Sequence, residues 1–266
     1  MANYKPDTVI EYVRNDNYFR PGLPYLDGVT YTIIPFANEE TAQAAFRTGK
    51  FMAVVWDATT VQTIRQKLVD ELGFVLHKAT AGRSDLHLNN RPPFDDQRGR
   101  QAISMGLNRQ LIVDAWLKGE GSTLASPVLP VDQGGRWGFS ESQMAQRPGF
   151  PTASDTDRAN AKALLGEAGV DPSSITIDYV AVQAFARAGA PESIAAALNE
   201  LGFEVKINVL DRVASEQKIN AGDFDIVHQV HIINIDDPLD RGGMESLIEG
   251  HPLNDGGWST PLDRDA

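Results

Sequence analysis

The sequence contains no cysteine. A chain without cysteine cannot form disulfide bonds, and it cannot use a thiolate as a nucleophile or as a metal ligand. Such a composition suits a reducing cytosol, and it suits equally an exported protein that does without disulfides. The missing cysteine therefore limits the chemistry of the protein and leaves its compartment open.

Long apolar runs are missing as well. The best apolar run, residues 51–56, is far shorter than the roughly 20 residues that a membrane-spanning helix needs. The first residues, 1–6, lack the apolar core of a signal peptide. Within this chain the sequence predicts neither a membrane helix nor a signal peptide.

Basic residues are scarce. The 266-residue chain has 24 Lys and Arg against 36 Asp and Glu, which gives a formal net charge of -12. Binding of nucleic acid needs clustered Lys and Arg, so we expect no nucleic-acid partner. With 42% hydrophobic and 23% charged residues, the composition is that of a globular protein of one large or two small domains.

The segment over residues 85–118 carries the strongest local pattern. Leu86 and Leu88 alternate with polar residues, which predicts a strand that ends before Pro92 and Pro93. Asp95 or Asp96 can then cap a helix. The apolar residues that follow are spaced four apart and predict one long helix that ends at Gly119: Ile103, Leu107, Leu111 and Ala115.

The same segment resembles the signature of a known family. The matching residues are Asn89, Pro92, Pro93, Phe94, Asp95, Asp96, Arg98, Arg100, Gln101, Ala102, Ile103 and Arg109. Gly106 and Asn108 stand where the family usually has Ala and Asp. The run is similar to that of the extracellular solute-binding proteins that serve peptide and nickel ABC transporters.

Strand and helix patterns alternate through most of the chain. Strands are predicted near residues 9–13, 29–34, 51–56, 175–182, 203–210 and 224–233, and helices over 39–48, 59–72, 155–168, 192–201 and 213–220. In the helix after Asp155 or Thr156 the predicted inward residues are Ala159, Ala163, Leu164 and Ala168. Gly73, Gly169 and Gly202 each separate a helical pattern from an apolar run, as left-handed stops or, alternatively, as traces of a diverged repeat.

These patterns predict an α/β fold, a mixed sheet with helices on both faces. The resemblance implies one lobe of a two-lobed, type II periplasmic-binding-protein-like fold. We expect residues 1–28 to lead in from a missing lobe, residues 29–238 to form the α/β ligand-binding lobe, and residues 239–266 to return toward the missing lobe.

Candidate ligand-binding residues follow from the match over residues 222–238. Gly222, Phe224, Asp225, Asp237 and Pro238 fit the family pattern, which places His231 at an aromatic position and Asn234 at an acidic one. In peptide-binding members that acid pairs with the α-amino group of the ligand, whereas a neutral Asn contributes no charge. Alternatively, Asn234 bonds its own backbone in a loop. The predicted ligand-binding residues are His228, His231, Asn234, Asp237, Arg212 and Trp137.

Trp137 belongs to a Gly- and Pro-rich loop over residues 119–154. It can line a ligand wall or, together with Phe139, hold the loop against the domain. Arg212 precedes the predicted helix over residues 213–220.

We predict no metal and no cofactor. His228 and His231 are three residues apart, and in a strand such residues point to opposite faces, so they cannot hold one ion. No phosphate-binding loop, nucleophile elbow or acid–base pair occurs in a suitable context. We therefore expect no catalytic residues and no enzyme.

The resemblance implies a solute-binding component of an ABC importer. Such a protein binds peptide-like or other small polar solutes between two lobes and delivers them to the membrane permease. The intact protein would be periplasmic or a cell-surface lipoprotein. One lobe alone should bind weakly, because the cleft needs contacts from both sides. The alternatives are a self-contained soluble enzyme or small-ligand module with its site at residues 119–154, and an isolated lobe that self-associates.

Overall fold

The computed structural model describes residues 1–35, 38–54, 69, 73, 75, 82–124, 130–183, 186, 189–232, 254 and 256–258. The chain divides into two compact units, Met1–Asp57 and Ala58–Ala266. Apart from residue 69, the helix predicted over residues 59–72 lies outside the described residues, as do the candidate residues Asn234 and Asp237.

The first unit contains a three-stranded antiparallel sheet. Its strands are β1 (Asn3–Lys5), β2 (Val9–Val13) and β3 (Gly28–Thr32), and β2 lies between the other two. Helix α1 (Glu39–Arg47) follows, and Gly49 continues the chain with a positive φ of 71°. The strands predicted near residues 9–13 and 29–34 and the helix predicted over 39–48 are confirmed. The predicted domain limits at residues 28 and 238 stay predictions.

The predicted buried strand over residues 51–56 is wrong for the part that is described. Residues 51–54 adopt no strand, and Met52 is 99% exposed. An apolar run becomes a strand only when neighbouring strands satisfy its backbone groups, and residues 51–54 pair with no described strand. Hydrophobicity alone could not reveal this.

The second unit is built on a four-stranded sheet. The strands β4 (Gly82–Leu88), β5 (Thr176–Val182), β6 (Glu204–Leu210) and β7 (Ile226–Ile232) lie in the order β4-β7-β5-β6. Strand β5 runs parallel to both β6 and β7, whereas β4 runs antiparallel to β7. The predicted mixed sheet is confirmed.

Helices cover both faces of this sheet, as predicted. The described helices of this unit are α2 (Gln97–Gly106), α3 (Arg109–Leu117), α4 (Glu141–Met144), α5 (Asp155–Glu167), α6 (Ala190–Glu200) and α7 (Arg212–Asn220). On one face, Ile177, Tyr179 and Ala181 of β5 pack with side chains of α2, α5 and α6. On the other, Val180 packs with Val227 and with Ile219 of α7. Alternate residues of β5 therefore enter two cores.

The single long helix predicted after Asp96 is wrong, because the chain forms two helices there. Leu107 is extended, with φ −68° and ψ 127°, and the Asn108 side chain accepts a hydrogen bond from the Leu111 amide at 3.0 Å. The carbonyl of Leu107 accepts from the Ala153 amide at 3.3 Å. The apolar spacing runs through this break and so could not indicate it, whereas the cap at Asp96 is confirmed.

Helix α5 corrects a second prediction. Its cap is Ser154 and neither of the predicted residues Asp155 and Thr156, and Ser154 forms a reciprocal capping box with Asp157. The buried residues of this helix are Ala161 and Leu165, whereas Ala159 and Ala163 are exposed. Small apolar residues occur around the whole helix, so the packing against α2 selects the buried face.

The three glycine junctions behave as predicted. Gly73, Gly169 and Gly202 have φ values of 68°, 75° and 106°, which L-residues with a Cβ rarely adopt.

Among the described residues, no helix has the length and apolar content to span a bilayer.

Candidate functional site

Two residues that match the family pattern, Asn89 and Asp225, belong to a polar cluster at the amino ends of β5 and β7. We call it the anchor network and define it as Asn89, Arg91, Asp178, Lys218 and Asp225. It connects the end of β4, the start of β5, helix α7 and the residue before β7 through side-chain hydrogen bonds and ion pairs.

Asp225 lies at the centre of the anchor network. One carboxylate oxygen accepts from Arg91 Nε at 3.0 Å and from Arg91 Nη2 at 2.9 Å, and the other accepts from the Asp178 amide at 2.8 Å. The Asp225 side chain is only 17% exposed. Such a carboxylate depends on its partners, because an unpaired buried charge is costly.

Lys218 extends the network toward α7. Its ammonium lies 2.9 Å from both Asp178 Oδ2 and Asp223 Oδ2, and Asn208 donates to Asp178 Oδ1 at 2.6 Å. The hydrogen bonds that Lys218 donates to Asp223 and to Asp178 raise the pKa of Lys218. The same ammonium lowers the pKa of Asp223. The pairing of Lys218 with Asp223 thus favours the charged form of both groups.

Asn89 and Trp258 connect further segments of the chain to the same end of the sheet. Asn89 Nδ2 donates to the carbonyls of Gly222 and Phe224 at 3.0 and 2.9 Å. Trp258 Nε1 donates to the Leu88 carbonyl at 2.9 Å, and the Arg100 guanidinium lies 4.5 Å from the Trp258 ring centroid. Segments more than 100 residues apart in sequence are joined here.

The other charged signature residues also have structural partners. Asp96 caps α2 and pairs with Arg98 at 2.6 Å, and these hydrogen bonds lower the pKa of Asp96 to about 2. Arg109 donates to the carbonyls of Ser104 and Gly149 and lies 3.8 Å from the Phe150 ring centroid. Burial lowers the pKa of Arg109 to about 10. These signature residues hold the fold together.

The opposite edge of the sheet is the candidate binding edge. We define it by the carboxyl ends of β5, β6 and β7 and by the start of β4, which pairs with the end of β7. In open α/β sheets, ligands bind outside the carboxyl ends of the strands. His231 is the sixth residue after Asp225 in the sequence, so the binding edge lies about 20 Å from the anchor network.

His231 and Arg212 both belong to the binding edge by strand position. The His231 backbone pairs with that of Arg83 near the end of β7, and Asn234 and Asp237 follow three and six residues later. Arg212 begins α7 directly after β6; its side chain is exposed and pairs with Glu216 at 2.8 Å. Strand β5 separates β6 from β7, so the carboxyl ends of these two strands are about 10 Å apart across the sheet.

His228 does not reach solvent. Its imidazole is fully buried on the face of the sheet that carries Ile226 and Leu86, with Nε2 2.6 Å from Ser84 Oγ and with the Trp116 ring centroid at 5.2 Å. Nδ1 has no hydrogen-bond partner among the described residues. Burial lowers the pKa of His228 to about 4, so the ring is neutral at neutral pH. Its position is that of a core residue behind the binding edge.

Trp137 lies on the surface in the segment between the 3₁₀ turn Val131–Gln133 and α4, and its side chain is exposed. No described contact connects it to the strand ends, so its predicted ligand role stays a prediction. Phe139 in the same segment packs with the Arg147 guanidinium, 5.4 Å from the ring centroid.

Arg83 is a residue of the binding edge that the sequence did not indicate. Its side chain is largely buried, and its Nε lies 2.6 Å from Asp85 Oδ2. The alternation of Leu86 and Leu88 predicted a strand from residue 85 only. The sequence before residue 85 is polar, so the extension of β4 back to Gly82 had no hydrophobic signal.

The sequence agrees over residues 1–241 with the family described as "Bacterial extracellular solute-binding proteins, family 5 Middle". The chain belongs to this family. The oligopeptide-binding protein AppA of Bacillus subtilis is 30% identical over 174 residues, which cover 64% of this chain and 28% of AppA. Heme-binding protein A of Haemophilus influenzae is 26% identical over 180 residues, which cover 67% of this chain and 30% of that protein.

Solved structures establish the fold. The periplasmic binding protein DppA from Helicobacter pylori, in complex with the peptide STSA, superposes with a TM-score of 0.73 at 22% identity, covering 97% of this chain and 48% of DppA. The binding protein AgaA from A. tumefaciens R10, in complex with agropinic acid, gives a TM-score of 0.65 at 21% identity, covering 97% of this chain and 50% of AgaA. The chain thus spans about half the length of these structures and less than a third of AppA.

Proposed function

We propose that the protein is the solute-binding component of an ABC importer and that residues 58–266 supply one wall of its solute cleft. The observation that carries this proposal is the family match over residues 1–241, together with a fold that spans half of a two-lobed binding protein. A cleft that closes between lobes buries its solute against both walls. Delivery to the membrane permease and a periplasmic or lipid-anchored location belong to this proposal.

We further propose that binding occurs without catalysis and without a cofactor. Within the described part of the chain, each of the charged signature residues Asp96, Arg98, Arg100, Arg109 and Asp225 has a structural partner. The binding edge is a separate surface. A protein whose charged residues serve its fold in this way is suited to capture and release of a solute.

The proposed contacts to solute come from His231, Asn234, Asp237 and Arg212, with Trp137 as an additional wall. His228 supports this edge from the core. Asn234 stands where peptide-binding members of the family carry an acid, so it lacks the charge that would attract a free α-amino group. Peptide-like and other small polar solutes fit a site of this composition, and proteins similar to this chain have been crystallised with a peptide and with agropinic acid.

A peptide-binding assay with Asn234→Asp tests the proposed role of this edge. The protein used is the chain together with its flanking coding sequence, and the probes are a tetrapeptide and its N-acetylated form. A restored carboxylate should strengthen binding of the free tetrapeptide by roughly 10-fold, because a charge-assisted hydrogen bond contributes about 1.5 to 3 kcal/mol. Binding of the acetylated peptide should not change.

Equal effects on both peptides, or none on either, would show that Asn234 does not face the amino terminus of a peptide. Asn254→Asp is the matched control, since it introduces the same charge next to Trp258 at the anchor end of the sheet. It should leave both affinities unchanged.

A further inference from the structure

The small sheet of the first unit sorts its side chains onto two unlike faces. The register aligns Tyr4, Ile10 and Tyr31 across β1, β2 and β3, and it aligns Tyr12 with Val29. Residues two apart in a strand share a face. We call this set the tyrosine face: Tyr4, Ile10, Tyr12, Val29 and Tyr31. The opposite face is mixed and contains Asn3, Lys5, Val9, Glu11, Val13, Thr30 and Thr32.

The tyrosine face is open to solvent. Tyr4, Tyr12 and Tyr31 are 55%, 44% and 57% exposed, and the Tyr12 and Tyr31 rings meet edge to face with centroids 6.0 Å apart. The face has no charged residue. An antiparallel sheet with one apolar face and one polar face normally packs the apolar face against another layer.

The described part of the first unit does not provide that layer. Over residues 1–35 and 38–54, the buried hydrophobic residues are Ala42 and Phe46, both in α1. Two side chains are too few to form a core, and a three-stranded sheet needs a packed face to be stable. The second unit, in contrast, has extensive cores on both faces of its own sheet.

We propose that the tyrosine face is the docking surface for polypeptide that lies outside residues 1–266 in the full-length protein. The solved family members are about twice as long as this chain, which covers 48% of DppA and 50% of AgaA. Polypeptide of the length needed to form a covering layer therefore exists in these relatives. Residues 1–57 then belong to a lobe that is completed by this additional polypeptide.

A second copy of the chain is a poorer occupant for this surface. Each copy has a net charge of -12, so two copies repel one another. The tyrosine face has five uncharged residues, three of them tyrosines, and so resembles the apolar core of a permanent interface. At such an interface the tyrosine hydroxyls can still reach solvent at the rim. Polypeptide of the same chain makes such a contact without the entropy loss of association.

The test compares Tyr31→Thr with Val13→Thr, which introduces the same residue at an exposed position on the opposite face. Each variant is made in the 1–266 chain and in a longer polypeptide that adds the flanking coding sequence on both sides. We expect Tyr31→Thr to lower the melting temperature of the longer polypeptide by at least about 5 °C and that of the 1–266 chain by less than about 2 °C. Val13→Thr should have a small effect in both.

Tyrosine nitration followed by peptide mass spectrometry provides a second measurement on the unmutated proteins. Tyr4 and Tyr31 should react at least about 10-fold more slowly in the longer polypeptide than in the 1–266 chain, while Tyr179 is protected in both because it is buried. This result stands even where a variant of the longer polypeptide fails to fold.

Several results would overturn the proposal. They are equal nitration rates in both proteins, equal effects of the two substitutions in the longer polypeptide, the absence of flanking sequence in frame, and a concentration-dependent dimer of the 1–266 chain that protects Tyr31. The last result would identify a second copy as the occupant. The proposal depends on family membership and not on the solute, so a failure to bind solute leaves it standing.

Discussion

At the scale of single residues, the family signature serves mainly the fold. Asp225 shows this most clearly, since it accepts two hydrogen bonds from Arg91 and one from the backbone of β5. It joins three segments that are far apart in sequence, at the end of the sheet opposite to the candidate binding edge. Its carboxylate is therefore expected to contribute to stability and not to solute affinity.

Replacement of Asp225 by Asn should lower the free energy of unfolding by about 2 kcal/mol, because hydrogen bonds to charged groups contribute about 1.5 to 3 kcal/mol. Asp223→Asn is the matched control: this side chain is 72% exposed, and its partner Lys218 keeps Asp178. The control should lose much less stability, because solvent screens an ion pair at such an exposed position. Urea unfolding followed by tryptophan fluorescence measures both, and equal losses would contradict the central position of Asp225.

His228 makes stability depend on pH. Its pKa is lowered to about 4 by burial, against an ordinary value of 6.5. Between pH 4 and 6.5 the unfolded chain binds more protons than the folded chain, so stability rises with pH over this window. The contribution is complete above pH 6.5 and amounts to at most about 3 kcal/mol.

Replacement of His228 by Leu should therefore flatten the dependence of unfolding free energy on pH between about 5 and 6.5. Above pH 7, where the imidazole is neutral in both states, the curves of the two proteins should run parallel. Urea unfolding at a series of pH values tests this expectation. An unchanged slope between pH 5 and 6.5 would show that the imidazole is not desolvated in the folded protein.

At the scale of elements, the break between α2 and α3 shows how packing decides what the apolar pattern leaves open. Gly106 lies directly against the buried Leu201, and a Cβ at this glycine would come within 2.7 Å of Leu201 Cδ1. Asn108 then caps α3. These are the two positions that depart from the usual family residues, and both are explained by local contacts in this chain.

Gly106→Ala and Gly166→Ala should have opposite effects on stability. Overpacking at Gly106 costs about 1 to 3 kcal/mol and exceeds the gain of roughly 0.5 to 1 kcal/mol in helix propensity. A Cβ at Gly166, inside α5, meets no atom within 4 Å, so only the propensity gain remains. Thermal unfolding measures both variants, and stabilisation by Gly106→Ala would contradict the tight packing against Leu201.

Much of this fold could be predicted from the sequence, because strands β5, β6 and β7 are apolar runs bounded by glycines or polar turns. The features that were missed depend on tertiary contacts: the break at Leu107, the buried face of α5, and the start of β4 at Gly82. Of the candidate site, the sequence identified the end of β7 through the family pattern. The sequence could not show that the His228 side chain lies in the core, because the elements that pack on a strand decide which of its faces is buried.

At the scale of the whole molecule, the two units differ in how completely the described residues of each bury the faces of its own sheet. The second unit has cores on both faces of its sheet, whereas the first exposes the tyrosine face. A solute that is bound between lobes is held by contacts from both walls, so one wall alone should give little affinity. Both features agree with the proposal that residues 1–266 supply only one wall of the solute cleft.

A thermal-shift comparison of the 1–266 chain and the longer polypeptide, each with the same panel of peptides, oligosaccharides and divalent metals, tests the proposed function most directly. A ligand that binds the folded state raises the melting temperature by mass action. We predict that at least one peptide or small polar solute stabilises the longer polypeptide, and that none stabilises the 1–266 chain. If a ligand at micromolar concentration raised the melting temperature of the 1–266 chain, the binding site would be complete within residues 1–266. That result would contradict a cleft that needs two walls.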